Sequence, residues 1–107
     1  MAIVYQKSAG LTDAELHYCP GCHHGIIHKL VAESLVELGL LDDAIGVCPV
    51  GCSVFAYNYF TCDMQEAAHG RAPAVATGIK RTHPTQDGGQ LSLFSKVFYS
   101  NFFQCGC

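Results

Sequence analysis

A two-thiol clamp, Cys19-Pro20-Gly21-Cys22, stands directly ahead of a helical repeat, and this junction constrains the fold more than any other stretch. Ile26, Ile27, Leu30, Val31, Ser34, Leu35 and Leu38 recur at helical spacing. Lys29, Glu33 and Glu37 form the opposite, wet face, where Lys29 and Glu33 lie four residues apart and can pair. Gly39 supplies a C-terminal stop. The pattern predicts a helix over residues 24–38. After a turn at Asp42-Asp43, the run Ala44-Ile45-Gly46-Val47 reads as a short buried strand leading into a tight loop at 49–53. A second helix or irregular aromatic segment is expected through Phe60, then a loop over 67–73. Residues 74–81 are small and apolar, which suits a tightly packed helix that Pro84 ends. Helix, strand, loop, helix is the order of an α/β protein. Ligands in such folds sit in loops beyond the strand ends, the position that 49–53 occupies.

Composition narrows the function classes. Half of the 107 residues are hydrophobic and 14% are charged, which excludes intrinsic disorder. It also leaves more apolar surface than so short a chain can hide in its own core. A net charge of −3, with 6 Lys and Arg and no basic run, excludes a basic nucleic-acid-binding domain. An electrostatic membrane anchor is excluded on the same ground. No stretch reaches the roughly 20 apolar residues of a membrane span, and residues 1–7 lack the layout of a signal peptide. The chain is therefore expected to be cytoplasmic. In that reducing compartment, 7 cysteines in a short chain point to metal or redox chemistry, not to a disulfide framework.

The clamp suits three chemistries: half of a zinc site, a dithiol redox pair, or part of an iron–sulfur cluster. A helix N-terminus favours thiolate, because its open N–H groups stabilise negative charge. Cys52, in a Gly-containing loop after the strand, can approach the clamp and strengthens the metal reading. Cys48 is an auxiliary ligand or, as a small hydrophobe at a strand end, part of the core; Cys62 reads as core. His24 and His28 share a helix face, so Cys19, Cys22, His24 and His28 could make a Cys2His2 zinc site. Their contiguity, however, strains tetrahedral geometry. His69 and Arg71 form an anion-binding pair by chemistry, Arg offering a planar fork of donors; the plain alternative is a solvated loop.

Three motifs, in order, carry a family resemblance. They are His17-Tyr18-Cys19-Pro20-Gly21-Cys22-His23-His24-Gly25, then Ile45-Gly46-Val47-Cys48-Pro49-Val50-Gly51-Cys52-Ser53, then residues 68–81, which begin Ala68-His69-Gly70-Arg71-Ala72-Pro73. They resemble the β subunits of 2-oxoacid:ferredoxin oxidoreductases, in the branch acting on 2-oxoisovalerate or 2-oxoglutarate, over residues 17–84. The resemblance implies a partial thiamine-diphosphate-binding α/β fold, the start of a parallel-sheet domain. It implies thiamine diphosphate with Mg²⁺, and a [4Fe–4S] cluster close by. Alpha and gamma subunits, often with a ferredoxin-like subunit, are the implied partners, and ferredoxin is the electron acceptor. The implied reaction is oxidative decarboxylation of a 2-oxoacid to an acyl-coenzyme A, in which the cofactor carries the bond-breaking chemistry. No residue of this chain is assigned a catalytic role. By match to the family, Cys19, Cys22 and Cys52 are cluster ligands, and Gly51, Ser53, His69, Gly70 and Arg71 line the thiamine diphosphate site.

The chain also departs from the family. The fourth cluster cysteine, and the Gly-Asp-Gly motif with a later Asn that ligate Mg²⁺, are absent. Asp87-Gly88-Gly89 follows Pro84 too closely to stand in for them. Residues 1–84 are expected to be the N-terminal part of a thiamine-diphosphate-binding domain. Residues 85–107 are expected to be a divergent tail, out of frame or aberrant, on a truncated subunit holding at most one or two strands. Such a fragment is expected to depend on a partner. The rival is a short natural paralogue whose Cys105 or Cys107 completes a site. The alternative function is a non-catalytic, Cys-ligated metal-binding or interaction module, holding iron–sulfur or zinc.

Overall fold

The computed structural model describes residues 2–82 and a strand at 97–99. Its elements are helix α1 (His24–Glu37), strand β1 (Ile45–Pro49), strand β2 (Asp63–Ala67), helix α2 (Ala72–Thr82) and strand β3 (Val97–Tyr99). Short 3₁₀ turns at Leu41–Asp43 and Val54–Asn58 lead into and follow β1. The sheet has the order β2-β1-β3, and both pairings are parallel. Ile45 pairs with Asp63 on one side and with Val97 on the other.

β1 is the central strand, and its alternation builds the core on both faces. Val47 and Ile45 pack with Ala67 of β2 and with Ala72, Ala76, Val75 and Ile79 of α2. Cys48 points the other way, into a cluster of Ala32 from α1 with Ala56 and Phe60. Helices thus cover both faces, as a parallel sheet requires. The apolar run that reads as a strand is this doubly buried β1.

Two strands escape the sequence reading, which allows one or two in all. Residues 61–66 are not legible as a strand because β2 is a polar edge, Asp63-Met64-Gln65-Glu66-Ala67, buried only at Ala67. β3 lies in the segment read as a divergent tail, apolar without a period, yet its backbone pairs with β1. Asp87-Gly88-Gly89, Pro84, Cys105 and Cys107 lie outside the described residues.

The bounds of α1 match expectation, and Gly39 follows it in the left-handed region at φ 66°. Lys29 and Glu33 stand 3.8 Å apart, as their spacing predicts. The buried face is different. α1 buries His24, His28 and Ala32, whereas Ile26 is 57% exposed and Leu30 is 54% exposed. Part of the periodic apolar stripe is thus turned outward, and Gly10 of the N-terminal segment packs directly on Ala32 of the buried row. That segment is held against the 3₁₀ turn by Thr12 N–H to the Tyr59 carbonyl (2.8 Å) and Thr61 N–H to the Gly10 carbonyl (3.0 Å). With Ile3, Val4 and Leu16 also exposed, the chain presents a broad apolar surface.

Candidate functional site

Both parallel strands β1 and β2 end on the same side, and their loops meet there. The loops are 50–53 and 68–71. Val50 N–H donates to the Ala67 carbonyl at 3.1 Å. His69 Nδ1–H donates to the Val50 carbonyl, also at 3.1 Å. Arg71 N–H donates to the Ala68 carbonyl, and the Arg71 carbonyl accepts from Val75, so α2 starts at this loop. The positive end of α2 and its open N–H groups therefore border the space over 50–53. Gly51 (φ 146°) and Gly70 (φ 71°) both have positive φ. Nothing lies within 4 Å of where a Cβ would sit at either, so the two glycines border open space. Ser53, in the same loop as Gly51, is buried. Gly51, Ser53, His69, Gly70 and Arg71, chosen from sequence, thus fall in one neighbourhood. Backbone donors, a guanidinium and a helix start suit a diphosphate. They offer Mg²⁺ nothing: the acidic motif that would hold it is not in the chain, and the residues do not fit that ion.

The thiol side is organised around an imidazole–phenol network. Cys22 N–H donates to the Cys19 carbonyl at 3.0 Å, closing the clamp into a turn at the head of α1. His24 Nδ1 lies 2.9 Å from Cys22 Sγ. His17 Nε2–H donates to the Cys52 carbonyl at 2.8 Å. The other nitrogen of His17 meets the Tyr59 hydroxyl, which also accepts from His17 N–H at 3.0 Å. His17 thereby ties the clamp's leading segment to the loop that carries Cys52. Tyr18 lies between the two thiol-bearing loops. Its hydroxyl pKa is pushed up, first by burial and then by negative charge on Tyr59, Cys22, Cys52 and Cys48.

The five described cysteines, Cys19, Cys22, Cys48, Cys52 and Cys62, are thiols and not disulfides. Cys19 is exposed and Cys22 and Cys52 are half-buried, whereas Cys48 is buried. Burial pushes the Cys48 and Cys62 thiols up, as befits core residues. Among the described residues, no three His, Cys, Asp or Glu side chains gather closely enough to hold one metal ion. The contiguous Cys2His2 arrangement is not formed, since Tyr18 O–H donates to His28 Nε2 at 2.6 Å. A four-iron cluster asks for something else. Its four thiolates bind four separate irons and need not converge on one point. Cys19, Cys22 and Cys52 are thiols of the type such a cluster takes, and Cys22 and Cys52 both lie near enough to Tyr18 to raise its pKa.

Sequence reasoning missed His17, Tyr18, Tyr59 and the inward face of His24 and His28. A signal was present: three histidines within His17 to His24 and a fourth at His28, beside a tyrosine, are more polar aromatics than a wet surface needs. His28 is 3% exposed. Its pKa is lowered to about 4 by burial, then by His24 and His17. Around it stand Tyr18, His24, Tyr59 and Phe60. The unfolded chain binds this proton near pH 6.5 and the folded chain does not. His28 therefore supports stability fully above pH 6.5, and that support is lost as pH falls toward 4, amounting to about 3 kcal/mol over the window. Urea midpoints measured from pH 7.5 to 5 should fall for the wild type. In His28→Leu the slope over that range should flatten; an unchanged slope would mean His28 is not buried as neutral imidazole.

No helix among the described residues is long and apolar enough to cross a membrane.

No family model matches the chain. Individual proteins do. The chain is 50% identical over 82 residues to the ketoisovalerate oxidoreductase subunit VorA of Methanothermobacter marburgensis, a match that covers 77% of this chain and 17% of that protein. It is 34% identical over 97 residues to the 2-oxoglutarate oxidoreductase subunit KorB of Mycobacterium tuberculosis, covering 82% of this chain and 26% of KorB. Among solved structures, the 2-oxoglutarate:ferredoxin oxidoreductase of Magnetococcus marinus, with 2-oxoglutarate, coenzyme A and succinyl-CoA bound, superposes with a TM-score of 0.63. It is 31% identical, and the match covers 69% of this chain and 26% of that one. The chain is thus a homologue of the VorA and KorB subunits of 2-oxoacid:ferredoxin oxidoreductases, with a matching α/β fold, and spans 17% of VorA and 26% of KorB.

Proposed function

We propose that this chain is the first part of a β-type subunit that binds thiamine diphosphate and a [4Fe–4S] cluster in a 2-oxoacid:ferredoxin oxidoreductase. The observation that carries the reading is the 3.1 Å bond from His69 to the Val50 carbonyl, which brings both glycine loops to the start of α2. The complex performs oxidative decarboxylation of a 2-oxoacid to an acyl-coenzyme A and passes electrons to ferredoxin. Thiamine diphosphate, when bound, supplies the bond-breaking chemistry, and the cluster supplies one-electron transfer.

The chain's own residues bind and orient. Arg71 and the first N–H groups of α2 take the diphosphate charge. Gly51 and Gly70 let the backbone approach it, Ser53 supports the floor, and His69 holds the two loops in register. Cys19, Cys22 and Cys52 hold iron. Residues 1–84 are the start of the cofactor-binding domain and 85–107 a divergent tail. The fourth thiolate and the Mg²⁺ ligands come from chain outside these residues. Alpha and gamma subunits, with a ferredoxin-like subunit, cover the exposed face of α1. A reducing cytoplasm keeps the described cysteines as thiols.

The test is anaerobic preparation with the partner subunits, followed by assay of iron, acid-labile sulfide and thiamine diphosphate binding. Iron with sulfide, and cofactor binding weakened at least tenfold by Arg71→Met, support the reading. Zinc without sulfide, and no thiamine diphosphate binding, would replace it with a metal-binding interaction module.

A further inference from the structure

We propose that His17 is a positioning residue: by donating a hydrogen bond to the Cys52 carbonyl, it holds residues 50–53 in the shape that receives a diphosphate. The inference rests on the diphosphate part of the functional reading above and names a residue that reading does not use.

The loop after β1 turns on Gly51, whose φ of 146° calls on the freedom of glycine. A glycine at a bend gives the chain room and also lets it wander, so a fixed loop needs both neighbours held. Val50 is held from one side. Its N–H donates to the Ala67 carbonyl at 3.1 Å, and its carbonyl accepts from His69 at 3.1 Å. Cys52 is held from another. His17 Nε2–H donates to its carbonyl at 2.8 Å, across 35 positions of sequence. A peptide unit is planar, so a carbonyl held toward His17 also fixes the direction of the Ser53 N–H. Ties from separate segments thus pin both flanks of Gly51.

His17 can keep this aim because its own ring is held. A neutral imidazole has one donor and one acceptor nitrogen. With Nε2–H committed to Cys52, Nδ1 accepts from the Tyr59 hydroxyl. That hydroxyl in turn accepts from His17 N–H at 3.0 Å. Tyr59 is buried. The imidazole stacks on it, with planes 21° apart, and meets Phe55 edge-on at 5.2 Å. One tautomer satisfies all three bonds. His17 is otherwise exposed, so replacing it does not open the core. The consequence is preorganisation: a loop already in its bound shape loses less conformational entropy when the anion arrives.

The experiment uses the subunit prepared anaerobically with its partners. Calorimetry reads the binding of inorganic pyrophosphate, and hydrogen–deuterium exchange reads the order of residues 50–53. His17→Phe keeps a ring against Tyr59 and removes both ring nitrogens. It should weaken pyrophosphate binding about fivefold, the scale of one net hydrogen bond, and speed exchange in the loop alone. His17→Gln returns an N–H near the position of Nε2 and should recover most of both effects. Tyr59→Phe keeps the buried ring and releases Nδ1, so it should move both readouts the same way by less; it carries the test where His17→Phe does not assemble. Equal binding and equal exchange in wild type and His17→Phe would overturn the proposal and leave the oxidoreductase reading intact. So would a loss that His17→Gln does not reverse, or faster exchange spread over α1 and β1. A wild type that binds pyrophosphate but no thiamine diphosphate, with the variants behaving as expected, would end the oxidoreductase reading and support this one. A wild type that binds neither would overturn both.

Discussion

Cys52→Ala is expected to abolish the iron–sulfur signal, with iron and acid-labile sulfide falling at least tenfold, while the protein stays folded. On the proposed reading the chain contributes three cluster thiolates from two loops, and a cluster needs four. Losing one of the three removes the whole of one loop's contribution. The substitution should cost little stability, because it is the Cys52 main-chain carbonyl, not its thiol, that receives the His17 bond. Cys48→Ala is the matched control. Cys48 is fully buried against Ala32, Ala56 and Phe60, and burial pushes its thiol up. Its loss should cost about 1 kcal/mol as a small core deletion and leave the cluster in place. Iron and sulfide assays beside a urea melt separate the two variants. A full cluster in Cys52→Ala would remove this loop from the ligand set.

Gly10→Val is expected to destabilise the fold by about 1–3 kcal/mol or prevent it from forming, the cost of forcing a side chain into a packed site. A Cβ at Gly10 would stand 3.0 Å from the Ala32 Cβ, 3.1 Å from its carbonyl oxygen and 3.3 Å from its Cα. Two of those three atoms are backbone of α1 and cannot swing aside. The Gly10 carbonyl accepts from Thr61 N–H and its N–H donates to Ser8 Oγ at 3.2 Å, so the segment cannot retreat either. Relief would mean lifting residues 8–12 off the molecule and breaking the bridge of Leu11 to Phe60. A urea midpoint equal to wild type would show that this contact does not anchor the N-terminal segment.

The bounds of α1 were legible because helix periodicity, a closing glycine and a clamp of two cysteines are all local signals. The direction that α1 faces was not. Its apolar stripe and its histidine stripe are both helical rows, and periodicity cannot say which one meets the core. Contacts from distant segments decide it, among them Gly10, which packs closely on Ala32 of the buried row. The same holds for the sheet. β1 announces itself because it is buried on both faces, whereas β2 is a polar edge strand whose only strand-like property is its pairing with β1.

The site divides along the same line. Residue type and order by themselves determined the donor set: thiols at a helix mouth, glycines and an arginine in loops. Those are chemical identities and need no coordinates. Tertiary structure alone decided that the loops at 50–53 and 68–71 touch, because parallel pairing of β1 and β2 brings their ends to one side. It also decided that His24 and His28 turn inward to Cys22 and Tyr18. Burial of a polar ring becomes favourable only where hydrogen-bond partners from other segments meet it, and no local pattern in the chain encodes that meeting.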